Sequence, residues 1–433
     1  MATAVQAFRE LENRRQVEGK PRSGFFVATS ARRPPEPDLS KPSALARHVV
    51  MPTLFEEYFQ ALAQPRTLAL GSVQPPPDWF PGEHLTRSIS AINRRMPELA
   101  VTCQRAIGTD ELRAALARRS IEVGCHLTAD DIVVTNGCVE ALSLCLRAVA
   151  QPGDTIARES PTYFMMLYML QSLGLRALEI PTHPKTGVSV EALDAATTRR
   201  GAVKAVLLMP NYSNPLGSLM PDENKARLVQ LCERRGLALI EDDVYGETFF
   251  GTTRPLPAKA WDQNGSVLYC SSFTKTLAPG LRIGWVAPGR HMHKLTMLKR
   301  TTTGFTPCAP QLAVANYIQS GGYDRQLRLL RARVVDHARR IGDRVADTFP
   351  SGCRMTHPVG GYALWIELPR NVDAVELFRR ARQKGVVVTP GPLFTLSSRF
   401  RNFIRISHTQ SASPAVVDDA IATVGQLAGV LAA

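Results

Sequence analysis

The stretch Val267-Leu-Tyr-Cys-Ser-Ser-Phe-Thr-Lys-Thr-Leu-Ala-Pro-Gly-Leu-Arg-Ile-Gly-Trp285 decides how the rest of the chain is read. Residues 267–270 are a short apolar run without alternation, which reads as a buried strand. The run then breaks into Ser271, Ser272 and Thr274, one lysine at Lys275, a Pro279-Gly280 turn and Arg282. Open α/β sheets present their ligands just past the carboxyl ends of their strands, where Lys275 stands. An amine condenses with an aldehyde, and hydroxyls with a guanidinium hold a phosphate. The grouping therefore suits an aldehyde that carries a phosphate. A solvated lysine in a polar loop is the competing reading, and the neighbouring strands decide between them.

Working outward, residues 132–135, 154–158, 203–209, 237–241 and 283–287 also read as strands. The runs at 203–209 and 237–241 lack alternation, as expected for strands covered on both faces. Helical patterns at 139–149 and 161–173 separate the first of these strands. Over about residues 110–300 this alternation implies an α/β unit with a mainly parallel, doubly wound sheet. After Pro310 the pattern changes. Helices at 311–319 and 324–347, a strand at 362–368, a helix at 373–384, strands at 386–389 and 403–407, and a helix at 414–431 follow. They make a smaller α+β unit over 311–433, with part of 45–109 packed beside one or both units.

The chain has 433 residues, 44% hydrophobic and 21% charged, which is ordinary for a soluble protein with room for two domains. No apolar run approaches the ~20 residues that span a bilayer. The first residues are too charged and polar for a signal peptide, so the expectation is a cytoplasmic protein without a membrane partner. Eight scattered cysteines form no Cys-x-x-Cys pair, so neither a metal site nor a disulfide framework is expected. The net charge of +14 permits an anionic partner, either nucleic acid or a phosphorylated ligand. The densest basic run, residues 325–344, interleaves with Leu327, Leu330, Val334 and Ile341, the pattern of an amphipathic helix with a solvated basic face.

At the other end, residues 4–15 are helical in pattern, with Val5, Phe8 and Leu11 on one face, and 17–27 read as a hairpin around a basic turn. A helix followed by a basic hairpin is the second half of a winged helix-turn-helix, or else a small arm packed on the main body. Residues 28–44 form a Pro-rich, charged linker.

The strand ends carry the chemistry. Asn136-Gly137-Cys138 follows 132–135, Asn211-Tyr-Ser-Asn-Pro-Leu-Gly217 follows 203–209, Asp242-Asp-Val-Tyr245 follows 237–241, and Lys275 follows 267–270. In a parallel sheet these ends share one edge, so the groups should converge. Each alone reads as a turn or a cap; the ordered set does not. Asn214-Pro-x-Gly, Asp242-x-x-Tyr245, Ser272-x-x-Lys275 and Arg282, in this order, resemble the class I aminotransferases with the type I pyridoxal phosphate fold. The run from Ser271 to Trp285 is similar to the MocR-type subgroup of GntR transcriptional regulators, in which a winged helix is fused to an aminotransferase-like domain. Thr3-Ala-Val-Gln-Ala-Phe-Arg-Glu-Leu-Glu12 and Pro21-Arg-Ser-Gly-Phe-Phe-Val27 resemble the end of that winged helix.

The resemblance implies pyridoxal 5′-phosphate as cofactor and a homodimer. Lys275 would bind the cofactor as an internal aldimine and carry a proton between Cα and C4′. Asp242 would pair with the pyridine nitrogen, and Tyr245 and Asn214 would hydrogen-bond the ring's 3-oxygen. The amides of Gly137 and Cys138 at a helix N-terminus would bind the phosphate with Ser272 and Arg282. Tyr163 would stack on the ring, and Arg405 would clamp the substrate α-carboxylate. The implied reaction is amino-group exchange between an amino acid and a 2-oxo acid. The alternative is a DNA-binding regulator that senses pyridoxal phosphate or an aldimine with little turnover; a lyase or decarboxylase on the same fold is a third reading.

Two features depart from the family pattern. Cys103-Gln-Arg-Ala-Ile-Gly108 stands where many relatives carry Tyr-Gly-x-Pro-x-Gly, so the tyrosine contact to the partner's phosphate is absent or replaced, with Arg105 as the available substitute. The chain also begins inside what would be the recognition helix. Residues 1–27 are therefore expected to be a winged-helix remnant, from a mis-chosen start codon or a truncated gene, with 45–433 as the aminotransferase-like domain. DNA binding is then expected only with the upstream residues present.

Overall fold

The computed structural model describes residues 7–8, 17–20, 24–27, 33–65, 67–199, 201–410 and 412–433. The large sheet runs, edge to edge, Arg47–His48, Arg176–His183, Thr155–Ser160, Ala205–Leu208, Ala238–Asp242, Val267–Ser272, Gly284–Ala287 and Val133–Thr135; Gly187–Val188 pairs with Arg176–His183 off this path. From Arg176–His183 to Val267–Ser272 the strands are parallel. Gly284–Ala287 is antiparallel to both its neighbours, so Val133–Thr135 points the same way as the parallel set. The mainly parallel α/β sheet expected from the sequence is present, with this one reversed strand near its edge. The Arg176–His183 strand is not foreseen by the apolar runs, because Glu179 and Pro181 interrupt its hydrophobic signal.

Alternate residues of each strand serve opposite cores. Leu207, Ile240 and Leu268 pack with Ala141, Leu142 and Cys145 of the Cys138–Val149 helix on one face. Val206, Leu239 and Val267 pack with Leu193, Leu228 and Cys232 on the other, under the Val190–Thr197 and Asp222–Arg235 helices. Both faces are thus covered, which explains the unbroken apolar runs.

The smaller unit is a four-stranded antiparallel sheet in the order Arg354–Met355, Ala363–Glu367, Phe403–Ser407, Thr389–Pro390. The Ala374–Gln383 and Pro414–Ala432 helices share its core. Pro414–Ala432 is, among the described residues, the one helix long and apolar enough to cross a membrane. Its Val417, Ile421, Val424 and Ala428 are buried in this core. The expected strand at 386–389 is reduced to Thr389–Pro390, because the backbone of 68–71 takes the hydrogen bonds of residues 385–387. Leu54–Leu62 sends Leu54, Tyr58 and Ala61 into the same core. The 27-residue helix Gly322–Thr348 ties the units together. Leu330 and Val334 belong to the large core, and Ile341 and Val345 to the small one.

Near the N-terminus, Val17–Lys20 pairs antiparallel with Gly24–Val27, and Phe8 stacks on Phe25 with ring centroids 4.7 Å apart. The helix expected over 4–15 lies outside the described residues, except for residues 7–8, which are helical. Residues 33–44 lie along both units. Arg354 grips Asp38 through two 2.7 Å hydrogen bonds, and Ser40 exchanges hydrogen bonds with Thr182 at the end of a large-sheet strand.

Candidate cofactor and active site

The carboxyl edge of the large sheet opens into a pocket of about 230 Å³. Asn214, Asp242, Tyr245, Ser272, Lys275 and Arg282 all line it, with Cys138 and Tyr163. Strand register brings them together. Asp242 lies opposite Cys270, two residues before Ser272, and Ser272 lies opposite Gly284, which itself pairs with Thr135.

The amine of Lys275 donates to the Val73 carbonyl at 2.8 Å and reaches Gln74 Oε1 at 3.4 Å. Burial lowers its pKa to about 8, helped by the Arg405 and Arg282 cations and opposed by Asp242. The solvated-lysine reading is therefore excluded by the surroundings. Tyr362 donates its hydroxyl proton to the Lys275 carbonyl at 2.7 Å and fixes the backbone there. The Lys275 Nζ stands 5.9 Å from the Tyr245 ring centre.

Asp242 occupies the pocket floor. Burial pushes its carboxyl up to about 6. Its donors are the Val244 amide at 3.1 Å and the Cys138 thiol at 3.4 Å, and both use Oδ1. Burial also holds the Cys138 thiol well above its ordinary range, so it stays protonated and able to donate. The second carboxylate oxygen has no protein donor among the described residues.

Gly137 caps the Cys138–Val149 helix with φ +88°. A side chain there would bring its Cβ within 2.5 Å of Arg282 Nη2, so the close approach of the guanidinium to the helix start requires glycine. Arg282 is itself left-handed, at φ +55°, a conformation that costs a non-glycine residue of order 1–3 kcal/mol. It donates to the Asn136 carbonyl at 3.0 Å and meets no carboxylate among the described residues. Cys138 at the helix start, Ser272 and Arg282 line this one pocket, and a helix start, a hydroxyl and a guanidinium are groups able to hold an anion.

Burial raises the hydroxyl of Tyr163 to about 12 and pushes that of Tyr245 higher still, with Asn214 beside it. Arg405 does not line the pocket wall but lies behind Asn214, 1% exposed. It donates to Asn214 Oδ1 and to the Gly71 carbonyl, each at 2.7 Å, between the rings of Phe164 and Phe394. Its Nε is buried without a partner among the described residues. Arg105 is not at the pocket; it is exposed and pairs with Asp110 at 2.8 Å.

The sequence reading missed Val73 and Gln74, which no motif marks, and the apolar wall of Met165, Met166, Met169 and Met209. Of these only Met209, the last residue of a predicted strand, carried a positional signal.

The family described as aminotransferase class I and II matches residues 80–424. Over 407 residues the chain is 36% identical to the uncharacterized HTH-type transcriptional regulator YjiR of Escherichia coli, covering 94% of this chain and 86% of that one. It is 29% identical over 363 residues to the 2-aminoadipate transaminase of Thermus thermophilus, covering 83% and 89%. The solved alpha-aminoadipate aminotransferase LysN of Thermus thermophilus, in complex with N-(5'-phosphopyridoxyl)-L-leucine, superposes with a TM-score of 0.80 at 26% identity, covering 89% of this chain and 96% of that one.

Proposed function

The chain belongs to the class I and II aminotransferases, with the type I pyridoxal phosphate fold, and on that premise we propose that its pocket binds pyridoxal phosphate and exchanges an amino group between an amino acid and a 2-oxo acid. The observation that carries the proposal is the half-finished electrostatics of the pocket. Among the described residues, Asp242 is a buried carboxylate with one open oxygen and no cation hydrogen-bonded to it, while the Arg282 guanidinium beside Gly137 meets no anion. A protonated pyridine ring that carries a phosphate supplies both missing partners. The donor set therefore fits the cofactor that the family implies.

When bound, the cofactor supplies an aldehyde for amine exchange and a ring that takes up the electron pair left at the substrate Cα. Everything else falls to this chain's residues. With its pKa near 8, Lys275 has about a tenth of its amine neutral at pH 7, enough to act as a nucleophile and then to take the proton from the substrate Cα. Asp242 holds a proton on the ring nitrogen. Asn214 and Tyr245 hydrogen-bond the ring oxygen, and Tyr163 covers the ring face. The Gly137 and Cys138 amides, Ser272 and Arg282 hold the phosphate. Arg405, buried behind Asn214, holds the Asn214 amide in place and would turn to a substrate carboxylate only by giving up that bond.

The regulator-named relatives favour a second reading, in which the same pocket senses rather than turns over. In that reading the hairpin at 17–27 belongs to a DNA-binding segment, the linker at 28–44 joins it to the 45–433 domain, and the cytoplasmic protein acts as a homodimer. A half-reaction assay separates the two. Release of a 2-oxo acid with loss of the visible absorption band supports transamination, and a band shift without release supports sensing. Elimination or CO2 release overturns both in favour of a lyase or decarboxylase, and absence of a band in protein mixed with pyridoxal phosphate overturns the cofactor assignment.

A further inference from the structure

At the edge of the large sheet opposite Lys275, the segments that lead into the strands leave an open groove of about 940 Å³. Its walls are Thr197, Thr198, Gly201, Val203 and Lys204 ahead of Ala205–Leu208, the end of the Asp222–Arg235 helix before Ala238–Asp242, and the start of the Met292–Thr302 helix. Lys204, Arg234, Arg235, Arg290, His291 and Lys294 line it, against one acid, Glu233. Among the described residues, only Arg235 of these cations has an ion pair, with Asp194 at 2.7 Å. Lys204, Arg234, Arg290 and Lys294 are exposed and meet no carboxylate among the described residues. Some arginines elsewhere on the surface are instead held by carboxylates, as with Arg354 on Asp38 and Arg379 on Glu57. The first turn of the Met292–Thr302 helix adds no acid and has no side-chain cap, so its positive end stays uncompensated. His291 registers the result: burial first, then Arg290 and Lys294, hold it below the usual imidazole range.

We propose that this groove is a docking surface for the sugar–phosphate backbone of duplex DNA. Unpaired cations along an open groove neutralise successive phosphates and release their counterions. The walls contain no Phe, Tyr or Trp on which unpaired bases could stack, which favours a duplex over a single strand. They also lack the large apolar anchors that a lipid surface requires. The groove would hold DNA without reading its sequence, since phosphate contacts position and base contacts specify. The inference extends the regulator side of the proposed function and is tested apart from the cofactor.

The test uses the full chain, a fluorescent duplex of arbitrary sequence and anisotropy titrations over roughly 50–200 mM salt. The expected result is salt-sensitive binding that the triple variant Lys204→Glu/Arg290→Glu/Lys294→Glu weakens at least about tenfold at the lowest salt. The slope of log affinity against log salt should fall by about 3, one for each phosphate that a cation no longer neutralises. Melting temperature and the absorption band with pyridoxal phosphate should not change. A control, Arg325→Glu/Arg328→Glu on the basic face of the long helix, should bind DNA like the wild type. The proposal is overturned if the wild type does not bind the duplex, if the triple variant binds equally well, or if that variant loses affinity for anionic vesicles while keeping DNA. Failure of the cofactor band in the wild type would instead strike the cofactor reading and leave the groove result standing.

Discussion

Asp242 and Asp243 are consecutive and both buried, yet they face opposite sides of the strand end and opposite electrostatic situations. Asp243 accepts from Arg254 at 2.6 Å, Tyr269 at 2.8 Å and Asn211 at 2.8 Å. Its neighbourhood continues as a closed network in which Glu247 holds Arg254 and Arg331 at 3.2 and 3.0 Å. There burial pushes the Glu247 carboxyl up, but Arg254, Arg119 and Arg331 outweigh it and the net shift is downward. Asp242 has an amide and a thiol, both on one oxygen, and burial prevails. Equal burial thus produces a finished ion network on one side and an unfinished one on the other. A folded protein tolerates the second where a ligand completes it.

The comparison is broken most severely at Lys275. If a ligand anchored there supplies the missing cation, Lys275→Ala abolishes the visible band of bound pyridoxal phosphate. It also slows amino-group transfer by at least about 10²–10⁴-fold, the range of a lost proton-transfer group. Absorption spectra and single-turnover kinetics check this. A band that survives unchanged would mean that the ligand is held elsewhere.

The two aspartates themselves come next. Asp243→Asn leaves Arg254 with an incomplete partner set and should cost about 3–5 kcal/mol in urea unfolding. Asp242→Asn in the cofactor-free protein should act the other way. The wild-type carboxyl has a folded pKa of about 6 against an ordinary 3.8, so the folded state binds the proton more tightly. Wild-type stability then falls as pH rises from about 4 to about 6, by roughly 3 kcal/mol, and stays lower above that range. The asparagine variant escapes this loss. It should be more stable than wild type at pH 8, with the gap closing by pH 4. A variant less stable than wild type at pH 8 would show that Asp242 is not an unsatisfied charge.

Arg282→Gln tests the other open end. If the proposed cradle holds the phosphate, the change removes a charge-assisted contact worth about 1.5–3 kcal/mol, so the dissociation constant for pyridoxal phosphate should rise roughly ten- to a hundredfold. Equilibrium dialysis measures it, and an unchanged constant would place the phosphate away from the helix start.

The contrast between the aspartates also marks where the sequence is legible. The strand-end groups Asn214, Asp242, Tyr245, Lys275 and Arg282 could be placed together because parallel strands end on one edge, and the apolar runs located those strands. The closed network could not be read, since it draws on Arg119, Asn211, Arg254 and Arg331 from segments with no shared period. Val73 and Gln74 were invisible for the same reason: they reach Lys275 from about 200 positions away on a loop, by tertiary packing alone. The Arg176–His183 strand was hidden because its buried Glu179 is partnered by Arg158 at 2.9 Å, a pairing that hydrophobic pattern cannot show.

The smallest effect belongs to Cys138, and it sharpens the comparison most finely. Its thiol is one of two donors on Asp242, at 3.4 Å, and sulfur is a weak donor. The bond favours the charged carboxylate, so Cys138→Ala should push the Asp242 pKa further above 6. With less negative charge at the pocket floor, pyridoxal phosphate should bind about two- to fivefold more weakly, equivalent to 0.5–1 kcal/mol. The backbone amide at the helix start is retained in alanine, so the phosphate cradle is not the cause. Cys138→Ser should restore affinity, because a hydroxyl can donate to the same oxygen. If alanine and serine weaken binding equally, packing around the thiol rather than its proton matters, and Asp242 is held in place by its amide alone.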